Sequence, residues 1–230
     1  MARKPAAKPA KEPSGPKSAR TRERILDAAA AVLSRKGYAG TRLTDVAEQA
    51  EIQAPAIYYY YPSREDLIEE VIYVGIHRLT EHVEQALAEA PGDLTPLDRI
   101  LHAVEAQLRF ELGVSDYATA AIRNASQVPD ELRARYDAES ARYAEIWRGL
   151  VKEAQAAGEL RDDLDPTLAR LLVLGALNWT NEWWNPRRGS MDSLVANARS
   201  IVRHGLGAGG GKPAKRTPAK AATTKTAAKR

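Results

Sequence analysis

The segment from Thr41 to Leu67, TRLTDVAEQAEIQAPAIYYYYPSREDL, constrains the fold of this chain more than any other. Its first half predicts a short helix capped by Thr41, because apolar residues recur there at helical spacing: Leu43, Val46, Ala47 and Ala50. Pro55 is tolerated only in the first turn of a helix, so a second helix is predicted to begin at Gln53 or Ala54. Two short helices joined by a turn of three or four residues form a helix-turn-helix, whose second helix enters the DNA major groove.

Four consecutive tyrosines, residues 58–61, follow this second helix. A helix directs consecutive side chains around its whole circumference, so the four cannot all be buried. Tyr58 and Tyr61 are predicted to lie in the core on the same face as Ile57. Tyr59 is predicted to present its hydroxyl group to solvent or to a phosphate oxygen.

This segment resembles the DNA-binding region of the TetR family of bacterial transcription repressors. Three motifs carry the resemblance: Thr41 to Ala47, Ile57 to Tyr61, and Ser63-Arg64-Glu65-Asp66-Leu67. The chain departs from the family pattern at Glu51, where the turn usually has Gly, and at Gln53, where the second helix usually opens with Ser or Thr. Glu51 is therefore expected to adopt a strained turn conformation, and Gln53 is a weaker cap.

The predicted DNA-binding residues divide into base contacts and phosphate contacts. The recognition helix is expected to present four side chains to the groove: Gln53, Ala54, Pro55 and Ala56. Glutamine can bond to an adenine edge, and small side chains allow contact with thymine methyl groups. Arg42 is a candidate for guanine or phosphate, and Tyr60 is a further candidate for DNA contact. The resemblance implies phosphate contacts from Thr41, Thr44, Tyr59 and Arg64.

Charge divides the chain into an acidic centre and two basic ends. Residues 1–20 contain six Lys or Arg and one acid, and residues 206–230 contain seven Lys or Arg and no acid. Residues 21–205 therefore hold 21 basic and 29 acidic side chains, although the whole chain has a net charge of +4. Both ends have too few apolar residues to form a core, so they are predicted to be disordered. They are either solvated tails or a salt-sensitive, non-specific contact with phosphates.

The rest of the chain shows helical periodicity and no useful stretch of period two, which predicts an all-α fold. Helices are predicted over about 20–37, from Ser63 towards Pro91, and over 95–112, 114–126, 129–158, 166–185 and 190–204. Ser63 with Asp66 resembles a capping box, and Asp165-Pro166 a capped helix start. The predicted organisation is a basic tail (1–19), a helix-turn-helix domain (20–66), a helical ligand-binding and dimerisation domain (67–205) and a second basic tail (206–230).

The clearest C-terminal feature is LLVLGALNWTNEWWNP, residues 171–186. Its helical face is apolar and contains Leu168, Leu171, Leu172, Gly175 and Trp179. Such a stripe favours helix packing, and the resemblance implies a homodimer through helices 8 and 9. Asn178, Asn181 and Glu182 do not suit a dry interface, because a buried polar side chain needs a partner, for which a ligand is one candidate.

The same block resembles a subset of TetR regulators, several of which respond to acyl-CoA thioesters or other lipid-degradation intermediates. An apolar tunnel lined by Tyr117, Tyr143, Trp147 and Trp179 would suit an acyl chain. Basic candidates for an acidic ligand group are Arg109, Arg123 and Arg148, each of which could equally form a surface ion pair. Asn178, Glu182 and Trp183 complete the predicted effector-binding set.

The residue pattern does not favour an enzyme. The histidines lack metal-binding spacing, since His77 and His82 are five residues apart, and the Asp162, Asp163 and Asp165 group is better explained by a loop and a helix cap. No catalytic residue, metal site or cofactor is predicted. The chain has no cysteine, no membrane-spanning run and no signal peptide, so a soluble cytoplasmic protein is expected.

The sequence therefore predicts a dimeric repressor that binds a palindromic operator in double-stranded DNA and is released by a small, lipophilic effector. Two alternatives stay open. One is a drug- or xenobiotic-sensing repressor of an efflux pump. The other is a nucleoid-type architectural DNA-binding protein whose tails dominate binding.

Overall fold

The computed structural model describes residues 15–113 and 116–209, and in them the chain forms nine α-helices. The helices are α1 (Pro16–Gly40), α2 (Leu43–Gln49), α3 (Ala54–Ile57), α4 (Arg64–Glu89), α5 (Pro96–Gly113), α6 (Asp116–Asn124), α7 (Ala134–Ala156), α8 (Pro166–Trp183) and α9 (Met191–Leu206). The predicted all-α class is confirmed: the described part of the chain has no strand, only an isolated bridge between Leu160 and Gly207.

Several helix ends follow the predicted local signals. Ser63 caps α4 by accepting a hydrogen bond from the Asp66 backbone N–H at 3.0 Å. Asp165 caps α8 by accepting from the backbone N–H groups of Thr167 and Leu168 at 2.8 and 3.0 Å. The backbone leaves helical geometry at Gly37, which has a φ of 70° inside α1, and Gly158 has the same φ just after α7. The two caps explain why α4 and α8 start where predicted, and the two glycines mark the breaks predicted near the end of α1 and after α7.

Several predicted boundaries differ from the structure. α1 begins at Pro16, so the last residues of the predicted tail 1–19 are helical, because proline fits the first turn of a helix. The predicted long helix from Pro129 begins instead with a 3₁₀ turn, Asp130–Leu132, before α7 starts at Ala134. At the other end, Leu206 still belongs to α9, and the Ala208 backbone N–H donates to the Glu159 carbonyl at 2.8 Å.

Residues 1–14 and 210–230 of the two predicted tails lie outside the described residues, as do 114–115 at the start of the predicted helix over 114–126.

The buried apolar residues form two clusters. The N-terminal core joins α1, α2, α3 and the first half of α4, and it also takes in α6. The C-terminal core joins the second half of α4 with α5, α7, α8 and α9. α4 therefore contributes to both cores and connects the two domains. Within the described ranges no helix is both long and apolar enough to cross a membrane.

α4 and α6 approach closely at Gly75. A Cβ atom at that position would lie 2.5 Å from the Tyr117 carbonyl oxygen and 2.9 Å from the Ala121 Cβ. Only glycine fits this contact without movement of the α6 backbone. α6 therefore packs closely against α4 as well as against α1.

Candidate DNA-binding surface and effector domain

The helix-turn-helix is built from α2, the turn over residues 50–53 and α3. Ile52 donates its backbone N–H to the Ala47 carbonyl at 3.0 Å, which closes the turn after α2. Glu51 has a φ of 54° and is the one non-glycine residue with positive φ in the described chain. Arg24 of α1 donates from its guanidinium to the carbonyls of Ala50 and Glu51, so the end of α2 is held against α1. The strained turn at Glu51 is confirmed.

Most of the predicted DNA-contacting side chains are exposed on this unit. Gln53 is the N-cap of α3 and Pro55 its second residue, as predicted. The exposed members of the set are Arg42, Thr44, Gln53, Pro55, Ala56 and Tyr59. Ala54 and Tyr60 are half-buried and pack against the N-terminal core. Six of the ten predicted residues are thus exposed in the free protein.

Thr41 and Arg64 stabilise the domain in the free protein. Thr41 is buried and donates its hydroxyl to the Gly37 carbonyl at 2.8 Å. The prediction that it caps α2 is wrong: Arg42 is the N-cap residue and makes no side-chain cap. Arg64 is half-buried, donates its Nε–H to the Thr41 carbonyl at 2.7 Å, and lies over the Tyr38 ring. Both residues therefore hold the start of α4 against the end of α1.

The tyrosine run divides differently from the prediction. Tyr61 is only 3% exposed and Tyr59 is 60% exposed, as expected. Tyr58 is 58% exposed, so its predicted core position is wrong. Tyr61 lies four residues after Ile57, the last residue of α3, and therefore stays on the same buried face. Tyr58 directly follows Ile57 and points about a quarter turn away from that face. Two neighbouring tyrosine hydroxyls, rather than one, are therefore available at the surface.

The four aromatic residues of the predicted acyl tunnel do not meet. Tyr117 belongs to the N-terminal core and donates its hydroxyl to Asp27 at 2.7 Å. Tyr143 and Trp147 are buried in the C-terminal core. Trp179 is 65% exposed on α8. The tunnel is not formed as predicted, because helical spacing identifies amphipathic faces but does not show which helices face one another.

All three predicted basic residues form ion pairs, and Arg148 pairs with Glu145 within α7. Arg109 donates to Glu105 at 2.9 Å and to Asp192 at 2.7 Å, and it is exposed. Arg123 of α6 donates to the Glu182 carboxylate at 2.6 Å. The Arg123 guanidinium also donates to the Asn181 carbonyl at 2.9 Å and to the Ser34 carbonyl at 3.2 Å. Arg123 and Glu182 thus connect the end of α8 to α6 and α1.

A buried polar cluster lies where α5, α7 and α8 meet. Gln107 of α5 donates to Glu111 at 2.8 Å and to Asn178 of α8 at 2.9 Å. Its amide oxygen accepts the Tyr143 hydroxyl of α7 at 2.7 Å. Trp147 is fully buried beside Tyr143, with the two rings 6.5 Å apart. Three predicted effector residues, Tyr143, Trp147 and Asn178, are therefore brought together.

Sequence reasoning missed the two central members of this cluster, Gln107 and Glu111. Both are nearly inaccessible, and burial raises the pKa of Glu111 to about 7, against a smaller opposing effect of the Gln107 hydrogen bond. A signal was present, because the buried positions of α5 recur at spacings of four, three and four residues: Ile100, Val104, Gln107 and Glu111. Two polar residues at the end of an apolar stripe predict a buried polar site.

α8 and α9 carry an exposed apolar face. Its exposed members are Leu168, Leu171, Leu172, Trp179, Trp183 and Ile201. A groove runs between the two helices and is lined almost entirely by apolar side chains, including Leu172, Val173, Leu194 and Ile201. The predicted α8 stripe is therefore at the surface. Apolar patches of this kind on a folded chain mark interaction sites.

Comparisons with known proteins agree with both domains. The family described as bacterial regulatory proteins, tetR family, matches residues 25–71, and the tetracyclin repressor-like C-terminal domain matches residues 93–206. The fatty acid metabolism regulator protein of Bacillus subtilis (strain 168) is 25% identical over 178 residues, or 77% of this chain and 90% of that protein. The transcriptional repressor KstR2 of Rhodococcus jostii (strain RHA1) is 23% identical over 204 residues, or 86% of this chain and 96% of that protein.

The fold is also found in a solved complex. The structure of AibR with isovaleryl coenzyme A and operator DNA matches with a TM-score of 0.72 at 20% identity, covering 79% of this chain and 97% of AibR. Both halves of the chain, the helix-turn-helix and the helical C-terminal domain, thus match one family of regulators. The chain belongs to the TetR family of DNA-binding transcriptional repressors.

Proposed function

We propose that this repressor acts as a homodimer and is released from a palindromic operator by an acyl-CoA or another lipid-degradation intermediate. The observation that carries the dimer is the exposed apolar face of α8 and α9. Leu172, at 75% exposure, lies beside the groove between the two helices. Two copies joined through this face would bury it in a four-helix bundle. A dimer also supplies the two recognition helices that a palindrome requires.

The effector class is supported by the relatives and by the chemistry of the C-terminal core. One relative is named for fatty acid metabolism, and one similar structure holds isovaleryl coenzyme A. The core between α5, α7 and α8 is mostly apolar, and a polar cluster lies around Gln107. Such a mixture of apolar walls and a few polar groups suits a lipophilic molecule with one polar function.

Release of DNA by the effector follows from thermodynamic linkage. An effector that binds better to a dimer with misplaced recognition helices lowers DNA affinity by the same coupling free energy. Two physical connections between the domains support such coupling. α4 packs in both cores, and Arg123 joins the end of α8 to α1.

Fluorescence anisotropy with labelled DNA from upstream of the gene tests this function. Protein is titrated at physiological salt with excess non-specific competitor, and palmitoyl-CoA, isovaleryl-CoA or free coenzyme A is then added. We expect saturable binding that a thioester releases and coenzyme A does not. Specific binding that ignores both thioesters would reject this effector class and favour a xenobiotic sensor. Binding abolished by competitor would favour the architectural role.

A further inference from the structure

Glu111 has one carboxyl oxygen without a partner inside the C-terminal core. Its Oε1 accepts the Gln107 amide at 2.8 Å, but its Oε2 is buried and has no hydrogen-bond partner among the described residues. The side chain as a whole is 2% exposed. An unsatisfied buried polar group costs roughly 1–3 kcal/mol, so native cores rarely keep one. This cost sets Glu111 apart from Gln107 and Tyr143, whose side-chain polar atoms are paired.

The rest of the cluster holds Glu111 in place without neutralising a charge. Gln107 uses its amide protons on Glu111 and Asn178, and its oxygen on Tyr143. The one hydrogen bond that Glu111 receives comes from a neutral amide. A carboxylate so placed is poorly stabilised, and the neutral carboxyl, which carries an O–H donor, is favoured. The buried Trp147 Nε1 lies beside the Tyr143 hydroxyl, but it makes no hydrogen bond of good geometry among the described residues.

The group that would complete this site is a hydrogen-bond acceptor without charge. A carbonyl oxygen fits, because it can accept from an O–H and from an indole N–H together. A cation would need an ionised carboxylate, and it would leave the Trp147 N–H unpaired. An acyl thioester has one carbonyl oxygen next to an apolar chain, which matches the apolar walls of the core.

We propose that Glu111 is the polar recognition point of the effector site and donates a hydrogen bond from Oε2 to the carbonyl oxygen of an acyl thioester. This inference rests on the proposed acyl-CoA response. Gln107 positions the carboxyl group, and Trp147 offers a second donor. The same contact gives selectivity for acyl thioesters over molecules of similar shape that lack a carbonyl.

The test compares ligands that differ only in the carbonyl group. Dissociation constants are measured by calorimetry for isovaleryl-CoA and for the matching S-alkyl-CoA thioether, which lacks the carbonyl oxygen. Wild-type protein should bind the thioester about ten-fold more tightly, the equivalent of one good hydrogen bond. Glu111→Leu should bind the two ligands equally. Glu111→Gln should keep most of the preference, because the carboxamide still donates. Glu131→Gln makes the same change at an exposed site in the 3₁₀ turn before α7, and this control should match wild type.

Each contrary outcome has a separate meaning. If wild type binds the thioester and Glu111→Leu keeps the same preference over the thioether, Glu111 does not recognise the carbonyl, and the proposed function stands without this inference. A second contrary outcome is that Glu111→Gln and Glu111→Leu both bind a lipophilic quaternary ammonium ion more weakly than wild type, while their thioester binding is unchanged. The site would then recognise a cation, and the inference would be overturned. If wild type binds neither of these ligands nor palmitoyl-CoA, both the inference and the effector class fail.

Discussion

At the scale of single residues, the strained turn at Glu51 has a measurable energetic effect. A left-handed conformation costs an L-residue about 1–2 kcal/mol, whereas glycine adopts it freely but loses some entropy on folding. Glu51→Gly should therefore raise the free energy of unfolding by about 0.5–1 kcal/mol, measured by urea denaturation. Glu51→Ala keeps the positive φ of 54° and should give no such gain. Equal stabilisation by both variants would show that the carboxylate, and not the backbone, is responsible.

Burial of Glu111 predicts a specific dependence of stability on pH. Because its pKa is raised to about 7 in the folded protein, folding favours the protonated form. Ionisation of Glu111 therefore lowers the free energy of unfolding. This effect is absent below a pH of about 4.3, the pKa of glutamate in the unfolded chain, and it grows with pH until it reaches its full size above about pH 7. Glu111→Gln should have wild-type stability at pH 4 and be more stable at pH 8, by up to about 3 kcal/mol. Thermal unfolding across this range measures the difference, and a constant difference would contradict the prediction.

The two exposed tyrosines allow a matched comparison on DNA. Tyr59→Phe removes a hydroxyl predicted to contact phosphate, so affinity should fall by a similar factor of about three to ten for every DNA sequence. Tyr58→Phe removes an equally exposed hydroxyl from the neighbouring position and should have a smaller effect. Anisotropy titrations on operator and random DNA test both. A change in base preference for Tyr59→Phe would place this side chain in the groove.

At the scale of helices, the success of prediction depended on how local the signal was. The start of α3 at Ala54, just before Pro55, the cap at Ser63 and the cap at Asp165 involve residues within one turn, and the structure confirms them. The positions of Tyr117 and Trp179 depend on which helices meet, and this information is absent from the spacing of a single helix. Tyr58 failed for a different reason: it directly follows Ile57, so its side chain points about a quarter turn away from the buried face.

The contact between α4 and α6 gives a prediction at the same scale. Gly75→Ala would place a methyl group 2.5 Å from the Tyr117 carbonyl oxygen, so α6 must move. We expect a loss of about 1–3 kcal/mol in unfolding free energy, as for other overpacked contacts. Gly149→Ala in α7 meets no atom within 4 Å and should instead stabilise by about 0.5–1 kcal/mol. Similar changes at both sites, measured by denaturation, would mean that α6 adjusts freely.

At the scale of the whole molecule, the α8–α9 face predicts the oligomeric state. Leu172→Glu places a charge on this face and should convert a dimer into a monomer in sedimentation experiments. Operator affinity should fall at least ten-fold, because one helix-turn-helix then binds without its partner. Gln155→Glu adds the same charge to the exposed side of α7 and should leave both properties unchanged. A dimeric Leu172→Glu variant would place the interface elsewhere.

α4 has 26 residues and packs in both domains, and its length has a geometric consequence. At 1.5 Å per residue the helix is about 39 Å long. If its far end stays fixed, a tilt of about 5° moves the near end by about 3.4 Å, which is one base-pair step along the DNA axis. In a symmetric dimer both ends move, so the mismatch with the operator doubles to about two steps. A tilt of only a few degrees in α4 would therefore be enough to move both recognition helices of such a dimer out of register with a palindromic operator.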